Sequence, residues 1–489
     1  MIFRVAKWRF LALVLALVAV FGFEVWGIAT PSMWADEVAT VAASSRSLGH
    51  LWAMVQNIDA VHGTYYLFMH FWGGAFGFSP FALRLPSALG ITAAVLLTYC
   101  VALRLFGTRV AWYALVLAAV LPRMTWAATE ARSYAIDALV GVGLTLLLLR
   151  ATDEGMGVGR MRLRWLAYGV LLALGIHLFV FVLLLALSHG IWLLLRRREA
   201  MRGWLVSFAA AGLASSGVLW LVDAQKSQVG WLPPVSAATV SEVFEGQFFL
   251  SSPVLAYICT GLLIAVVFGA KNLGFSAQKR SSTLLLALTA ALPPALILAY
   301  SLATKSIYDS RYFTFAAPMV AILLALALSS LFSAPLSGLS LALVVALSLP
   351  TYLQLRQPHA KDSNWAEIAR QVALVNQPNT GILYADYARR SPSLSRIHIA
   401  YPSSFVGLKD FTLQTPFTQS HGLYDIRVTP EASVGKWRTC GRIIVVATDL
   451  EGIRTAHLKD LLRAKGFSQT QRHDIPGDHI LVFEQQRKQ

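Results

Sequence analysis

Residues 160–198 read RMRLRWLAYGVLLALGIHLFVFVLLLALSHGIWLLLRRR, and the number of times this stretch crosses a membrane sets the side on which everything after it lies. As one helix rising ~1.5 Å per residue, Trp165 to Leu195 is too long for a simple span; as two helices, each is short. Charge decides. Arg150, Arg160, Arg162 and Arg164 precede the stretch and Arg196, Arg197, Arg198 and Arg202 follow it. Excess Lys and Arg mark cytoplasmic loops, so both flanks are cytoplasmic and the number of crossings is even. Two spans are expected, with His177 near the outer turn.

Working outward, other apolar runs near bilayer length lie at roughly 10–30, 85–106, 109–128, 134–150, 204–222, 253–270, 283–302, 313–332 and 336–353. The chain is therefore expected to be a polytopic α-helical membrane protein with about 11 transmembrane helices. This count puts Arg4, Lys7, Arg9, Arg104, Arg109, both arginine clusters, Lys271, Lys279 and Arg280 on the cytoplasmic face. Those are 16 of the 23 Lys and Arg before residue 354, which sets the N-terminus inside and the C-terminus outside. His62 to Leu83 is apolar enough to tempt a further span. Crossing there would turn the Arg-rich loops outward, so the segment is expected in the interface, where Tyr, Trp and His are at home. The first run also fits a cleaved signal peptide, although Glu24 interrupts it and no small-x-small site ends it.

Composition agrees. Of 489 residues 56% are hydrophobic and 13% charged, half the charged share of a soluble chain, which excludes a cytosolic enzyme and a disordered scaffold. Cys100, Cys259 and Cys440 are far apart and imply no disulfide or metal framework. The net charge of +16 is sorted by membrane side, so no nucleic-acid partner is implied.

After about residue 354 the composition shifts: residues 354–489 hold 18 Lys or Arg and 12 Asp or Glu, against 23 and 13 in the preceding 353. The division is 1–353, a membrane domain whose first outer loop is 31–83, and 354–489, a soluble extracytoplasmic α/β domain. Within the tail, Asp362-Ser363-Asn364 offers helix caps before Trp365 to Val375, and Ile382 to Ala385 and Arg442 to Thr448 read as buried strands. Ala456 to Lys465 reads as a helix ended by Gly466, and His479 to Glu484 as a closing strand. The tail's work would be acceptor docking or packing over the membrane site.

Chemistry-bearing residues gather at the outer face. Trp34-Ala35-Asp36-Glu37 puts two carboxylates directly after a span. Helical neighbours point ~100° apart, so the two do not form a dyad; one can face a reacting hydroxyl while the other orients a partner. Equally, Asp36 would cap a helix beginning near Glu37. Asp59, His62, Tyr66 and His70 follow, the last three on one helical face. A zinc site is excluded by distance, because two turns set the outer imidazoles roughly 12 Å apart. An aromatic face for a lipid or sugar, or a membrane-surface anchor, is the more economical reading. Arg84, Arg132 and Arg311 sit at outer ends of spans, able to hold a phosphate bidentately or to snorkel to headgroups. Asp137, about a turn into its span, is costly in lipid and marks a functional or paired residue.

The ordered set Trp34-Ala-Asp36-Glu37, Asp59-x-x-His62-Gly63-x-Tyr65-Tyr66, Phe76-Gly77-x-Ser79-Pro80, Leu83-Arg84-Leu85-Pro86-Ser87, Glu130-Ala131-Arg132-Ser133-Tyr134, Ser310-Arg311-Tyr312-Phe313 and Asp362-x-x-Trp365 resembles the polytopic GT-C glycosyltransferases. The nearest branch is that of family 39 protein O-mannosyltransferases and lipid A aminoarabinose transferases, in particular the mannosyltransferase-like proteins of actinobacteria. Gly63-Thr64 stands where many relatives have Pro-Pro, so that loop's acceptor contacts do not carry over. The resemblance implies a GT-C fold and an extracytoplasmic, inverting transfer of one sugar from a polyprenyl-phosphate donor to a hydroxyl of a protein, glycan or lipid. It makes Asp36 the general base and Arg84 a donor-phosphate ligand. Arg132 and Arg311 would assist the clamp, Glu37 and Asp137 would orient these groups or the acceptor, and Asp59, His62 and Tyr66 would line the sugar or prenyl groove. No cofactor or metal is required, and mannose is suggested by the family's name. Membrane lipids are the remaining partners, and the plasma membrane the expected location. A lipid-linked-sugar transporter or flippase, or a non-catalytic subunit that binds such a lipid, are the competing readings. Transporters place their charged sites at the midplane, often in repeated halves, whereas here the ionisable residues gather outside.

Overall fold

The computed structural model describes residues 2–155, 157–385 and 393–486, with side chains from Trp8 onward; Arg4 and Lys7, assigned to the cytoplasmic face, have side chains outside the described residues. The chain divides into two compact units. One comprises residues 1–28, 59–65 and 81–355; the other comprises 29–58, 66–80 and 356–489.

The first unit is helical. Among the described residues seven helices are long and apolar enough to cross a bilayer: Trp8–Val25, Pro80–Phe106, Tyr134–Ala151, Val158–Leu178, Ala277–Ala303, Ser310–Leu331 and Ala334–Gln354. Three bent helix pairs reach that length and apolarity only when each pair is taken together. Thr108–Val120 meets Pro122–Ala128 at 56°, Arg198–Ala214 meets Ser216–Ala224 at 58°, and Ala237–Phe249 meets Pro253–Phe268 at 87°. With the shorter apolar helix Val182–Arg196, these correspond one to one with the eleven runs read from the sequence. The stretch that opened the sequence reading is two helices, broken at Phe179 to Phe181 with His177 in the last turn of the first. This is a multi-pass membrane protein.

Burial ranks the helices. The apolar window of Ser310–Leu331 is 83% buried, so this helix is the axis of the unit, whereas the corresponding window of Trp8–Val25 is 11% buried and peripheral. Ala317–Leu331 packs on Thr108–Val120, Pro253–Phe268 and Ala277–Ala303. Lipid tails are as apolar as side chains, so such packing depends on close van der Waals approach at small residues. Gly141 shows this: a Cβ there would collide with the Phe315 carbonyl, and only hydrogen lets the two backbones meet.

The second unit holds a five-stranded sheet in the order Lys409–Asp410, Thr380–Tyr384, Arg442–Ala447, Asp478–Gln485 and Phe467–Ile475. The first three strands run parallel and the last two pairings are antiparallel. Every residue of Thr380–Tyr384 and Arg442–Ala447 is buried, as befits inner parallel strands covered on both faces. Trp437, Leu383, Ile443, Val445, Leu458, Leu481 and Phe483 form the core on one face, and the buried Trp437 indole N–H donates to Ser433 Oγ at 3.0 Å. The helices Trp365–Val375 and Ile453–Ala464 stand where the sequence set them, and Gly466 turns the second into the edge strand with φ +84°. The edge strand Phe467–Ile475, mostly polar, was not foreseen.

Candidate functional site

The two carboxylates after the first span open a ten-residue helix, Ala35–Ser44. Trp34 is its N-cap and makes no side-chain cap, so the expectation that Asp36 would cap a helix starting near Glu37 is corrected: both acids sit in the first turn. Carboxylates there are stabilised by the unpaired N–H groups and the positive end of the helix dipole. Their surroundings differ. Asp36 is half-buried, while Glu37 is fully buried and its Oε1 lies 3.1 Å from Lys361 Nζ, itself 5% exposed on its side chain.

Residues far along the chain hold this acid helix. Ser32 N–H donates to the Pro358 carbonyl at 2.8 Å, Met33 N–H to Tyr401 Oη at 2.9 Å, and Tyr424 Oη to the Ala35 carbonyl at 3.4 Å. Arg46, just past the helix and 1% exposed, donates to the carbonyls of Ala42 at 2.9 Å, Ser420 at 2.6 Å, Gly422 at 2.7 Å and Leu423 at 2.9 Å. Burial lowers its pKa to about 10, partly offset by the charge of Asp425, so it stays cationic at neutral pH.

The expected His–Tyr face is divided. His62 belongs to a short 3-10 turn, Ala60–His62, and the helix proper is Gly63–Phe76. In the second unit, Tyr66 is fully buried and its carbonyl accepts from Ser44 Oγ at 3.1 Å, while His70 Nδ1 lies 2.9 Å from the Ser44 carbonyl. That face therefore packs against the acid helix, and the helix presents Leu67, Phe68, Phe71 and Phe76 outward instead.

In the first unit Asp59 has φ +62°, a left-handed conformation that Asp tolerates better than most residues. Gln228 and Gln225 fix this turn by accepting from the N–H groups of Asp59 and Ala60 at 3.0 and 2.9 Å. His62 stacks on Phe179 at 6.3 Å between ring centres, and Phe179 also meets Tyr134 at 6.1 Å and Tyr312 at 5.3 Å. An aromatic cluster thus gathers at the break between two spans, with the neighbours of Arg132 and Arg311 in it.

The three arginines lie in structures that are stitched together. Arg84 is fully buried in Pro80–Phe106, and its Nη1 donates to the Ile28 carbonyl at 2.8 Å. One turn on, Ser87 Oγ donates to the Glu130 carbonyl, joining that helix to the segment bearing Arg132, which is 5% exposed. Arg311 Nε lies 2.9 Å from Asp309 Oδ2, and the guanidinium stands 5.8 Å from the Trp231 ring centre. Arg123, buried, ties in the Arg311 segment by donating to Ser310 Oγ at 3.0 Å and to the carbonyls of Gly246 and Gln247 at 2.7 Å each. Asp137 is 1% exposed; its Oδ2 accepts from Ser133 Oγ at 2.9 Å, and its Oδ1 has no hydrogen-bond partner among the described residues. Among the described residues no three His, Cys, Asp or Glu side chains converge to hold a metal ion.

Sequence reasoning missed Lys361, buried against Glu37, and Arg123 as a structural clasp. Lys361 carried one usable signal, its place beside the Asp362-x-x-Trp365 motif. Arg123 carried another, as one of the few arginines of the membrane part that the sequence reading sets outside the arginine-rich loops.

No family model matches the chain, and no curated protein matches it. Solved structures do. ArnT from Cupriavidus metallidurans in the apo state superposes with a TM-score of 0.62 at 12% identity, covering 98% of each chain. The same protein bound to undecaprenyl phosphate gives 0.59 at 13% identity over 96% of this chain and 97% of that one. The archaeal oligosaccharyltransferase AglB from Archaeoglobus fulgidus, in complex with an inhibitory peptide and a dolichol-phosphate, gives 0.51 at 12% identity over 96% and 74%. The chain shares their fold.

Proposed function

We propose that this protein is a membrane glycosyltransferase that moves a single sugar from a polyprenyl-phosphate-linked donor to an acceptor hydroxyl outside the cytoplasm, with inversion at the anomeric carbon. The observation that carries the reading is the split environment of one helical turn: Glu37 is buried on Lys361, while its neighbour Asp36 is half-buried. A glycosidase needs a second carboxyl group to protonate its leaving alcohol. A polyprenyl phosphate leaves as a stabilised anion and needs none. One carboxylate to accept a proton, with cations to receive the phosphate, is sufficient.

In this reaction Asp36 takes the proton of the acceptor hydroxyl as its oxygen attacks the anomeric carbon. The bond from that carbon to the phosphate oxygen breaks on the opposite face, and the electron pair leaves with the polyprenyl phosphate. Arg84, with Arg132 and Arg311, holds the phosphate, for which the planar fork of a guanidinium is suited. Asp137 orients this cationic group. His62 and the rings around Phe179 line the prenyl or sugar groove, with Asp59 fixing the turn before them, and Tyr66 backs the acid helix. That proteins of the same fold were solved with undecaprenyl phosphate and dolichol-phosphate supports a lipid-phosphate donor. A mannose-like sugar, a plasma-membrane location with the N-terminus cytoplasmic, and a tail outside the cell complete the proposal; the acceptor is a protein, a glycan or a lipid.

The test is Asp36→Asn, purified in lipid nanodiscs and supplied with polyprenyl-phosphate mannose. Donor binding is retained and transfer falls by at least the 10²-fold typical of a lost general base. Transfer at the parental rate would leave a lipid-sugar-binding subunit or a flippase as the better reading.

A further inference from the structure

We propose that the groove between the helices Val158–Leu178 and Met201–Ala214, at the arginine-rich end of the bundle, binds an anionic phospholipid. Arg162 and Arg202 take its phosphate, and an acyl chain lies on the apolar floor beyond them.

The groove encloses about 910 Å³. Val182–Arg196 returns the chain between the two helices, so both start at the same end of the bundle. One contributes Arg162, then Trp165 and Leu166; the other contributes Arg202, then Val206 and Ala210. These spacings put each set on a single helical face. From Arg202 to Ala210 the floor runs roughly 12 Å. Leu166, Val206 and Ala210 are exposed. The lining thus passes from guanidinium groups to hydrocarbon within about two turns, the order of parts in a phospholipid and not in a soluble anion. Backbone packing fixes the floor. A Cβ on Gly203 would lie 2.4 Å from Trp165 Nε1, and Ser207 Oγ donates to the Trp165 carbonyl at 2.8 Å.

Charge selects the headgroup. Residues 150–164 and 196–202 together hold eight arginines and three acids, eight minus three giving a net of +5. The acids at the mouth are engaged: Asp153 pairs with Arg104 and with Arg164 Nη1 at 3.0 Å, and Arg197 Nη1 lies 2.7 Å from Glu154 Oε1 and 3.8 Å from Glu199 Oε1. Arg162 and Arg202 are exposed and enter no ion pair among the described residues. Basic pockets between transmembrane helices hold anionic headgroups in this way. Snorkelling to bulk headgroups accounts for a lone exposed arginine but needs no cleft. Here two guanidinium groups from separate helices line one cleft with a shared apolar floor.

The test is native mass spectrometry of the full chain released from nanodiscs of phosphatidylcholine containing phosphatidylglycerol. The parental chain keeps one phosphatidylglycerol in preference to phosphatidylcholine. The double substitution Arg162→Gln, Arg202→Gln, at exposed positions that leave the fold intact, lowers this retention by roughly 10- to 30-fold, the worth of two arginines beside a headgroup. Ala210→Phe, which fills the floor, lowers it independently of charge. Arg160→Gln, at an exposed arginine outside the groove, leaves it near the parental level. Equal losses in Arg160→Gln and the double variant would mean diffuse attraction and overturn the site. Displacement of the lipid by excess inorganic phosphate would make the groove a free-anion site and overturn the acyl-chain assignment. A dimer that holds no lipid and dissociates in the double variant would assign the groove to a second copy of the chain. None of these readouts depends on sugar transfer, so they stand or fall apart from the proposed reaction.

Discussion

Ser32 caps a helix that begins more than three hundred residues later: its Oγ accepts from the Ala366 N–H at 3.0 Å, in the first turn of Trp365–Val375. The helix's own N-cap, Asn364, makes no side-chain cap, so the donor is met by the loop that carries the acids. Ser32→Ala should therefore cost about 1 kcal/mol, the usual worth of an N-cap, and loosen loop and tail together. Thermal unfolding and protease sensitivity of the purified chain in detergent check this; a change confined to the loop would argue against the coupling.

Arg46→Met should be more damaging. It removes the donors to Ser420, Gly422 and Leu423 and leaves buried carbonyls unmet, a loss of about 3 kcal/mol or more. The same measurement applies, with cleavage expected first near residues 420–423.

Acid should loosen the same region. Burial holds the His398 imidazole below its ordinary range, against the pull of Asp425. A histidine whose folded pKa is depressed contributes stability that is present above its unfolded value, about 6.5, and is lost as pH falls below it. The melting temperature of the parental chain should drop between about pH 7 and pH 5, and that of His398→Gln should drop less. Parallel curves would remove His398 as the cause.

Arg84→Gln should lower kcat/KM for the lipid-phosphate donor by about 10- to 100-fold, the worth of a charge-assisted hydrogen bond. Arg311→Gln should cost less, because part of its charge is already spent on Asp309. Equal kinetics for parental and Arg84→Gln proteins would remove this arginine from the phosphate clamp.

Gly141→Ala tests the bundle rather than the chemistry. The added methyl meets the Phe315 backbone carbonyl, which cannot rotate away, so overpacking should cost about 1–3 kcal/mol and lower the melting temperature in detergent.

The helices of the membrane part were legible because bilayer-length apolar runs are local signals. The Trp165–Leu195 stretch, read as two helices from its flanks, is two helices, and Trp365–Val375 carries a clear amphipathic period. Three things were not legible. Bends such as the 87° turn before Pro253 leave composition unchanged, so a broken span and a straight one read alike. Phe467–Ile475 has the polar pattern of an edge strand, which periodicity does not separate from a loop. The Glu37–Lys361 and Ser32–Ala366 pairings join opposite ends of the chain, and no local pattern in one sequence encodes a partner that distant.

The sheet's two margins carry a consequence for life in a crowded membrane. One margin is only Lys409–Asp410, too short to template another strand, and the other, Phe467–Ile475, shows solvent a row of glutamine, threonine and arginine side chains. Unpaired strand edges invite neighbouring molecules to add on, and natural proteins blunt them by brevity and by polar or charged side chains. Copies of this protein concentrated side by side in a bilayer should accordingly stay separate instead of zipping into fibrils.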